Sequence, residues 1–230
     1  MKQDLARLFI GYDAREAVAF NVLSHSVQKH ASRPVMIAPV MVDQLRQCFH
    51  RPHDPLQSTD FSFSRFLVPY LSGFEGWSIF MDCDMLALDD IYKLWQLRDD
   101  KYAVMVVKHQ HVPKEEVKFL NAVQTKYEKK NWSSVMLFNN TKCEALTPDF
   151  VNTASGLELH QFKWLKSDDL IGAIPSRWNH LVGYDNVDPS AAFVHYTIGG
   201  PYFNEYVSCE YADDWLRARD AMLAVTQRGA

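Results

Sequence analysis

Short apolar runs alternate along the chain with segments in which apolar residues recur at helical spacing. A strand-length apolar run followed by a segment with one apolar face is the pattern of a sheet covered by helices. The runs predicted to be strands are residues 8–12, 35–42, 77–81, 103–107, 135–138 and 191–194. The chain is therefore expected to have an α/β fold in which helices flank a largely parallel sheet.

The predicted helices lie between these strands. They are residues 14–25, 64–72, 91–98, 113–127, 157–165 and 213–226. Pro69 must bend or shorten the second helix, because proline has no amide donor. Asp89 and Asp90 precede the third, where a carboxylate can cap the free amides of the first turn. The pattern weakens between residues 147 and 183, and irregular segments of this kind commonly build binding sites.

Composition and charge narrow the class of protein. The chain has 230 residues, 47% of them hydrophobic and 23% charged, which fits one globular domain over residues 1–230. The net charge of -4, with no basic run, argues against nucleic acid as a partner. The cysteines lie far apart, which favours a reducing compartment. No signal peptide or transmembrane segment is recognised, so we expect a cytoplasmic protein.

Two carboxylates, Asp82 and Asp84, come directly after the apolar run 77–81. Acids one residue apart beyond a strand can present oxygens to one hard cation, and such a cation can neutralise a diphosphate. Cys83 is the spacer between them and does not lie in a motif typical of a catalytic nucleophile. The alternative is a solvated acidic turn that caps the helix beginning at Ile91.

His195 also follows an apolar run, residues 191–194, and precedes a glycine turn. An imidazole at this place could complete a metal shell, and the amides of Gly199 and Gly200 could approach phosphate oxygens closely. The alternative is a structural histidine, which is the commoner role for a lone histidine at the end of a strand.

The turn after the first strand is a candidate nucleotide site, because ligands of open α/β sheets bind at this edge. Tyr12, beside Gly11, can stack on a base, Asp13 can accept from a base or ribose, and Arg15 can face phosphate. A helix start capped by Asp13 remains an equal alternative. Arg65 could clamp a phosphate or sugar by bidentate hydrogen bonds, or form a surface salt bridge.

Aromatic residues beside polar groups suggest where a sugar could bind. Trp132 precedes Ser133 and Ser134, and Trp178 precedes Asn179. Flat apolar faces next to hydroxyl and amide groups are typical of sugar sites, although aromatic residues also serve the core. These residues are therefore candidates for the acceptor or the transferred sugar.

Residues 64–95 resemble glycosyltransferase family 8. The runs SRFLVPYL and IFMDCDMLALDDI, followed by LW, match that family's pattern R-L-x-x-P, Y-L-D-x-D-x-L-V-x-x-D-I and L-W. The resemblance extends to the first strand, to residues 133–139, to Trp178 with Asn179, and to His195 with its glycines. It therefore spans most of the chain.

This resemblance implies a GT-A fold with a mixed, mainly parallel sheet. The nucleotide-binding half would cover about residues 1–100 and the acceptor-side half about 101–230. Mn²⁺ or Mg²⁺ would be bound by Asp82, Asp84 and His195. The implied reaction moves a hexosyl group from a UDP-sugar to a saccharide or glycolipid acceptor with retention, as in polysaccharide biosynthesis, in the cytoplasm or peripherally at the inner face of the plasma membrane.

The resemblance also assigns roles on the donor side. Tyr12, Asp13 and Arg65 match positions that contact the donor, and Gln161 matches a polar side chain near the anomeric carbon. The sequence departs from the family after His195, where the glycines are shifted and the usual lysine is missing. Trp132 stands where the family commonly has Asn, so the acceptor side is expected to differ.

Other functions stay open on the residues alone. A nucleotidyltransferase or a nucleotide-sugar hydrolase could use the same metal geometry, and would release pyrophosphate or a sugar monophosphate instead of UDP. A non-catalytic nucleotide-binding or partner-binding module is a third alternative, which would show no metal-dependent nucleotide affinity.

Overall fold

The structure is a computed structural model that describes residues 4–54, 57–110 and 128–224. Its strands are β1 (Arg7–Gly11), β2 (Met36–Val40), β3 (Trp77–Met81), β4 (Met85–Ala87), β5 (Val104–Val106), β6 (Val135–Asn139), β7 (Ile171–Ala173), β8 (His180–Leu181) and β9 (Phe193–His195). Its α-helices are α1 (Ala17–His30), α2 (Val68–Leu71), α3 (Ile91–Trp95), α4 (Pro148–Thr153), α5 (Gly156–His160) and α6 (Ala212–Leu223).

The central sheet has six strands in the order β2-β1-β3-β6-β5-β7. β1 is parallel to β2 and to β3, and β5 is parallel to β7. β6 runs antiparallel to its neighbours β3 and β5. All five residues of β6 are buried, as expected for a strand covered on both faces. The prediction of an α/β fold with a mixed, mainly parallel sheet is confirmed.

The register of the sheet brings two strand ends to one edge. β1 and β3 are parallel neighbours, and Ile10 is paired with Met81 near their carboxyl ends. The residues that follow β1 and the residues that follow β3 therefore leave the sheet side by side. This edge carries the candidate nucleotide turn and the acidic motif.

A second sheet has three short strands in the order β4-β9-β8. The sequence analysis predicted β9 but missed β4 and β8. β4 is antiparallel to β9, and Met85 is paired with His195. Helix α1 covers this sheet, where Ser26 Oγ accepts a hydrogen bond from the Ala87 amide at 3.1 Å. The chain after the acidic motif is thus paired with the strand that ends in the histidine.

Helix boundaries follow the capping chemistry. Asp90 caps α3 by accepting from the Tyr92 amide, as predicted, although α3 ends earlier than expected. Pro69 lies in the first turn of α2, and residues 64–67 before it form a 3-10 turn, which is the predicted bend. Ser155 and Glu158 form a capping box at the start of α5.

Several expectations on element length were wrong. The helix predicted at residues 157–165 ends at His160, because Phe162 adopts a left-handed conformation with φ 59°. β7 was not predicted, since three residues give no periodic pattern. The helix predicted at residues 113–127 lies outside the described residues. The last helix, predicted to reach residue 226, ends at Leu223, because Ala224 is extended. The division into halves at about residue 100 stays a prediction.

Within the ranges that the structure describes, no helix is both long enough and apolar enough to span a membrane.

Gly11 ends β1 directly under the ring of Phe61. A Cβ built on Gly11 would lie 2.3 Å from Phe61 Cδ2, far inside van der Waals contact. The missing side chain therefore lets Phe61 pack on the strand. Phe61 in turn lies beneath Arg65, whose guanidinium carbon is 5.1 Å from the ring centroid.

Gly11→Ala should therefore destabilise the fold, because the added methyl group displaces Phe61. We expect a loss of about 1–3 kcal/mol in the free energy of unfolding, the usual range for overpacking. Urea unfolding followed by circular dichroism measures this loss. In a double-mutant cycle, Phe61→Leu should recover part of it. A Gly11→Ala protein as stable as the wild type would contradict the close packing.

Candidate active site

The acidic motif and His195 are brought together by the two sheets. The Asp82 amide donates to the Ser134 carbonyl at 3.0 Å, which continues the pairing of β3 with β6. The Tyr196 amide donates to the Asp84 carbonyl at 2.9 Å, next to the pairing of β4 with β9. Asp84 is therefore held against the strand that carries His195.

Asp82, Asp84 and His195 form a cluster with the geometry of metal ligands. One ligand atom from each residue can be chosen so that all lie within 4.8 Å of one another. His195 Nε2 is 3.2 Å from Asp84 Oδ1. Asp84 and His195 are buried, and Asp82 is partly exposed. A divalent cation could be held between two carboxylates and one imidazole of this spacing.

Asn179 determines which nitrogen of His195 carries the proton. Asn179 Nδ2 donates to the Asn131 carbonyl at 3.2 Å, which turns its Oδ1 towards His195 Nδ1 at 2.9 Å. An amide oxygen only accepts, so Nδ1 must be the donor. The lone pair of Nε2 then faces the Asp84 carboxylate, an arrangement that a cation or a second proton makes favourable. The cluster therefore fits a bound cation.

Arg65 is tied to the acidic motif. Its Nη1 donates to Asp82 Oδ1 at 2.6 Å and to the Ser133 carbonyl at 2.9 Å. The guanidinium carbon lies 5.1 Å from the ring centroids of both Phe61 and Phe80. Arg65 thus forms a salt bridge, but since Arg65 is only 5% exposed this salt bridge is buried and not the surface pair of the alternative prediction. The guanidinium is positioned to fix the orientation of Asp82.

Asp13 and Arg15 bind each other at the end of β1. The fully buried Asp13 side chain caps the following turn by accepting from the Arg15 amide, and it also accepts from Arg15 Nε and the Asp60 amide. Burial alone would raise the pKa of Asp13, but these hydrogen bonds outweigh it and lower that pKa. Arg15 Nη2 also donates to the Ser58 carbonyl at 2.9 Å. The cap predicted for Asp13 is thus present.

A cavity opens beside Tyr12, beyond the ends of β1 and β2. Its volume is about 240 Å³, and residues that line it include Tyr12, Met41, Phe49, Arg51 and Asp60. The half-buried Tyr12 ring makes an edge contact with Phe20, at 5.4 Å between ring centroids. Aromatic, apolar and charged groups thus meet at the sheet edge where ligands of α/β folds bind.

The glycines after His195 are covered by tyrosine rings. A Cβ on Gly199 would lie 2.3 Å from Tyr206 Cε2, and one on Gly200 would lie 2.3 Å from Tyr202 Cε1. Gly199 also has a φ of 153°, which side chains rarely allow. Glycine is thus required here to admit the two rings.

The two tryptophan candidates make different contacts. Trp178 is buried, with its ring centroid 5.8 Å from that of Phe193, so it serves the core. Trp132 is half-buried, and its Nε1 donates to the His109 carbonyl at 2.8 Å. Ser134 pairs with Asp82 through the backbone. Asn179, predicted as a sugar contact, is brought instead to His195 Nδ1.

Ser133 lies beside His160 at the end of α5. The two side chains are hydrogen-bonded, with 2.8 Å between Ser133 Oγ and His160 Nδ1. Burial, then the charges of Arg65 and Lys130, lower the pKa of His160, so its ring is neutral at physiological pH. The pair borders Arg65 and, through it, the acidic motif.

Gln161 and Cys83 occupy different surroundings. Gln161 directly follows α5, and its backbone carbonyl accepts from Lys129 Nζ at 2.9 Å. The Cys83 thiol is fully buried in the main core, where burial raises its pKa well above the usual value. A thiol in this state is a poor nucleophile, which agrees with its role as a spacer.

Glu16 and Tyr202 were missed by the sequence analysis. Glu16 is 1% exposed and accepts a hydrogen bond from Tyr202 Oη at 2.7 Å. Its burial, then the charge of Asp84, raise the pKa of Glu16 to about 8. A glutamate at the start of a helix is explained by the helix dipole alone, so the sequence does not indicate that Glu16 is buried or bonded to Tyr202.

Comparison with known proteins assigns the chain to a family. No protein-family model matches it. Protein CDI of Arabidopsis thaliana is 49% identical over 219 residues, which cover 91% of this chain and 84% of the relative. The chain belongs to the CDI family. The CDI name itself describes no reaction.

Solved structures show the fold of this CDI-family chain. The galactosyltransferase LgtC, in complex with donor and acceptor sugar analogs, superposes with a TM-score of 0.60 at 13% identity, over 96% of this chain and 98% of LgtC. The bifunctional glycosyltransferase WbbM gives a TM-score of 0.64 at 14% identity over 94% of this chain, which spans only 50% of WbbM. At such identities the likeness shows the fold, which is of the GT-A type.

The raised pKa of Glu16 makes stability depend on pH. Between 4.5, the value expected without burial, and about 8, the folded chain holds a proton that the unfolded chain has released. The free energy of unfolding should therefore fall across this window as pH rises, by at most about 1.4 kcal/mol per unit. Glu16→Gln cannot titrate and should lack this contribution.

Urea unfolding of the metal-free proteins between pH 5 and pH 9 measures the effect. The stability of Glu16→Gln relative to the wild type should rise up to about pH 8 and then level off. Parallel pH curves for the two proteins would show that Glu16 keeps its ordinary pKa in the folded state.

Proposed function

We propose that the chain is a metal-dependent glycosyltransferase that moves a hexosyl group from a UDP-sugar to a saccharide or glycolipid acceptor, with retention of configuration. The observation that carries the proposal is the convergence of Asp82, Asp84 and His195 beyond the ends of β1 and β3. The GT-A fold supports it, since LgtC, which has this fold, was solved with donor and acceptor sugar analogs.

The proposed ligands hold one cation, for which we propose Mn²⁺ or Mg²⁺. When bound, such a cation supplies positive charge that stabilises a departing diphosphate. Asn179 keeps the proton of His195 on Nδ1, so Nε2 can offer its lone pair as a ligand. Arg65 donates to Asp82 Oδ1 and so fixes the orientation of the carboxylate. The other oxygen, Oδ2, would then serve as the ligand.

The donor is proposed to bind along the edge between the cavity and the cluster. Tyr12 would stack on the nucleoside base inside the cavity. Asp13 would act by holding Arg15 at the border of the cavity, because its carboxylate already accepts several hydrogen bonds. The backbone near Gly11 and Cys83 would line the donor path. Gly199 and Gly200 would lie where the diphosphate meets the cluster.

The acceptor side is proposed on the β6 and α5 side of the cluster. Gln161 would lie near the anomeric carbon, with the Ser133–His160 pair beside it. Trp132 and Ser134 would contribute to the sugar or acceptor surface. The buried Trp178 would support this surface from the core. We propose an enzyme of polysaccharide assembly that acts in the cytoplasm or peripherally at the inner face of the plasma membrane.

Asp84→Asn tests the proposed function directly. The change keeps the shape of the side chain but removes a charged ligand, so metal-dependent UDP release from a UDP-sugar should fall by roughly 100-fold or more. The measurement is UDP release from a panel of UDP-sugars with Mn²⁺, with products separated by chromatography.

Asp220→Asn is the matched control, since Asp220 is an exposed carboxylate on α6 and its loss should leave the rate unchanged. Equal rates for Asp84→Asn and the wild type would refute the proposal. Pyrophosphate or sugar monophosphate as the product would instead indicate a nucleotidyltransferase or a hydrolase.

Asn179→Ala tests the role of the histidine partner. Without the amide oxygen, Nδ1 of His195 is no longer the required proton site, and the imidazole can rotate. Removal of such a ligand partner typically weakens metal affinity by about 10–100-fold. Calorimetric titration of Mn²⁺ in the presence of UDP measures this affinity.

Asn140→Ala provides the control for this experiment. Asn140 is also a fully buried asparagine, but it is bonded to Ser78 and Glu75 at the other end of β3. Both variants should lose stability, and only Asn179→Ala should lose Mn²⁺ affinity. An unchanged affinity in Asn179→Ala would show that the amide does not orient His195.

A further inference from the structure

A hydrogen bond joins the start of α1 to the segment after His195. Tyr202 Oη donates to Glu16 Oε1 at 2.7 Å, between residues that are remote in the chain. Glu16 is buried beside Ala17, where α1 begins, and its second oxygen has no hydrogen-bond partner among the described residues. This bond therefore connects the candidate donor side with the glycine segment, residues 199–201.

The ring of Tyr202 is fixed from two further sides. It lies against Gly200, where a Cβ would be 2.3 Å from its Cε1. Its centroid is also 5.4 Å from the ring of Trp215 in α6. Trp215 is 1% exposed and belongs to the second apolar cluster, which includes Val194 just before His195. Tyr202 is thus the point where the glycine segment, α1 and α6 meet.

This junction lies next to the candidate metal ligands. Burial, then the charge of Asp84, raise the pKa of Glu16. Burial, then the charges of Glu16 and Asp84, raise the pKa of Tyr202. The backbone continues the connection, since the Tyr196 amide donates to the Asp84 carbonyl and the Gly199 amide donates to the Tyr196 carbonyl. The glycine segment is therefore held at both ends, by Tyr196 and by Tyr202.

We propose that Tyr202 and Glu16 are positioning residues, and that their hydrogen bond holds residues 199–201 beside Asp84 in the arrangement that accepts a metal-bound nucleoside diphosphate. The inference rests on the proposed function. Neither residue needs to touch the cation or the donor. Without the bond, residues 199–201 can leave this arrangement. Binding must then order the segment again, which lowers the affinity for the diphosphate.

The size of the effect is bounded by the bond itself. One hydrogen bond of this kind is worth a few-fold to about tenfold in an equilibrium. Tyr202→Phe, which keeps the ring over Gly200, should therefore weaken UDP binding in the presence of Mn²⁺ by about three- to tenfold. Glu16→Leu should weaken it similarly, and the double variant should be no weaker than either single one, because both remove the same bond.

Glu16→Gln distinguishes positioning from a general loss of structure. Glutamine keeps an oxygen that accepts from Tyr202 Oη, so UDP affinity should stay within about twofold of the wild type. Tyr211→Phe is the matched control, because Tyr211 Oη bonds the backbone of Asp188 instead of Glu16. It should change thermal stability without changing UDP affinity.

The experiment is calorimetric titration of UDP into the full chain with saturating Mn²⁺, together with thermal unfolding of each metal-free protein. Wild-type affinity in Tyr202→Phe, or an equal loss in Glu16→Gln and Glu16→Leu, would overturn the positioning role. A wild-type protein that binds no UDP with Mn²⁺ would overturn the proposed function, and this inference with it. The two failures are thereby separated.

Discussion

The site depends on the antiparallel pairing of β4 with β9. That pairing places Met85 opposite His195 and so brings the histidine next to Asp84. The parallel pairing of β1 with β3 adds the second condition, because it makes the turn after β1 leave the sheet beside the acidic motif. Sheet register, rather than any local motif, therefore decides which side chains meet.

Bringing several carboxylates to one edge creates a repulsion that the fold must offset. Two offsets come from different elements: Arg15 on Asp13 and Arg65 on Asp82. Among the described residues Glu16 forms no salt bridge. Its pKa is raised to about 8, so its carboxyl group is protonated at neutral pH, and it accepts a hydrogen bond from the Tyr202 hydroxyl. These contacts hold the carboxylates of the candidate site in fixed orientations.

Five of the six strands of the main sheet, and the acidic motif beside them, could be predicted from the sequence because their signals are local. The strand of residues 77–81 is a continuous apolar run, and the acids follow it at once. The short strands β4, β7 and β8 could not be predicted, since two or three residues show no period. For the same reason Asn179 was taken for a sugar contact: its role depends on β8 lying beside β9, which no local pattern reveals.

The glycines show why local signals also mislead. A glycine indicates that something approaches the backbone closely, but the sequence does not identify what approaches. At Gly199 and Gly200 a phosphate was the expectation, and the close neighbours are the rings of Tyr206 and Tyr202; at Gly11 the close neighbour is the ring of Phe61. The rings of Phe61 and Tyr202 are connected to the candidate site, through Arg65 and Glu16 respectively. The glycines therefore influence the candidate site indirectly, through the aromatic rings that they admit.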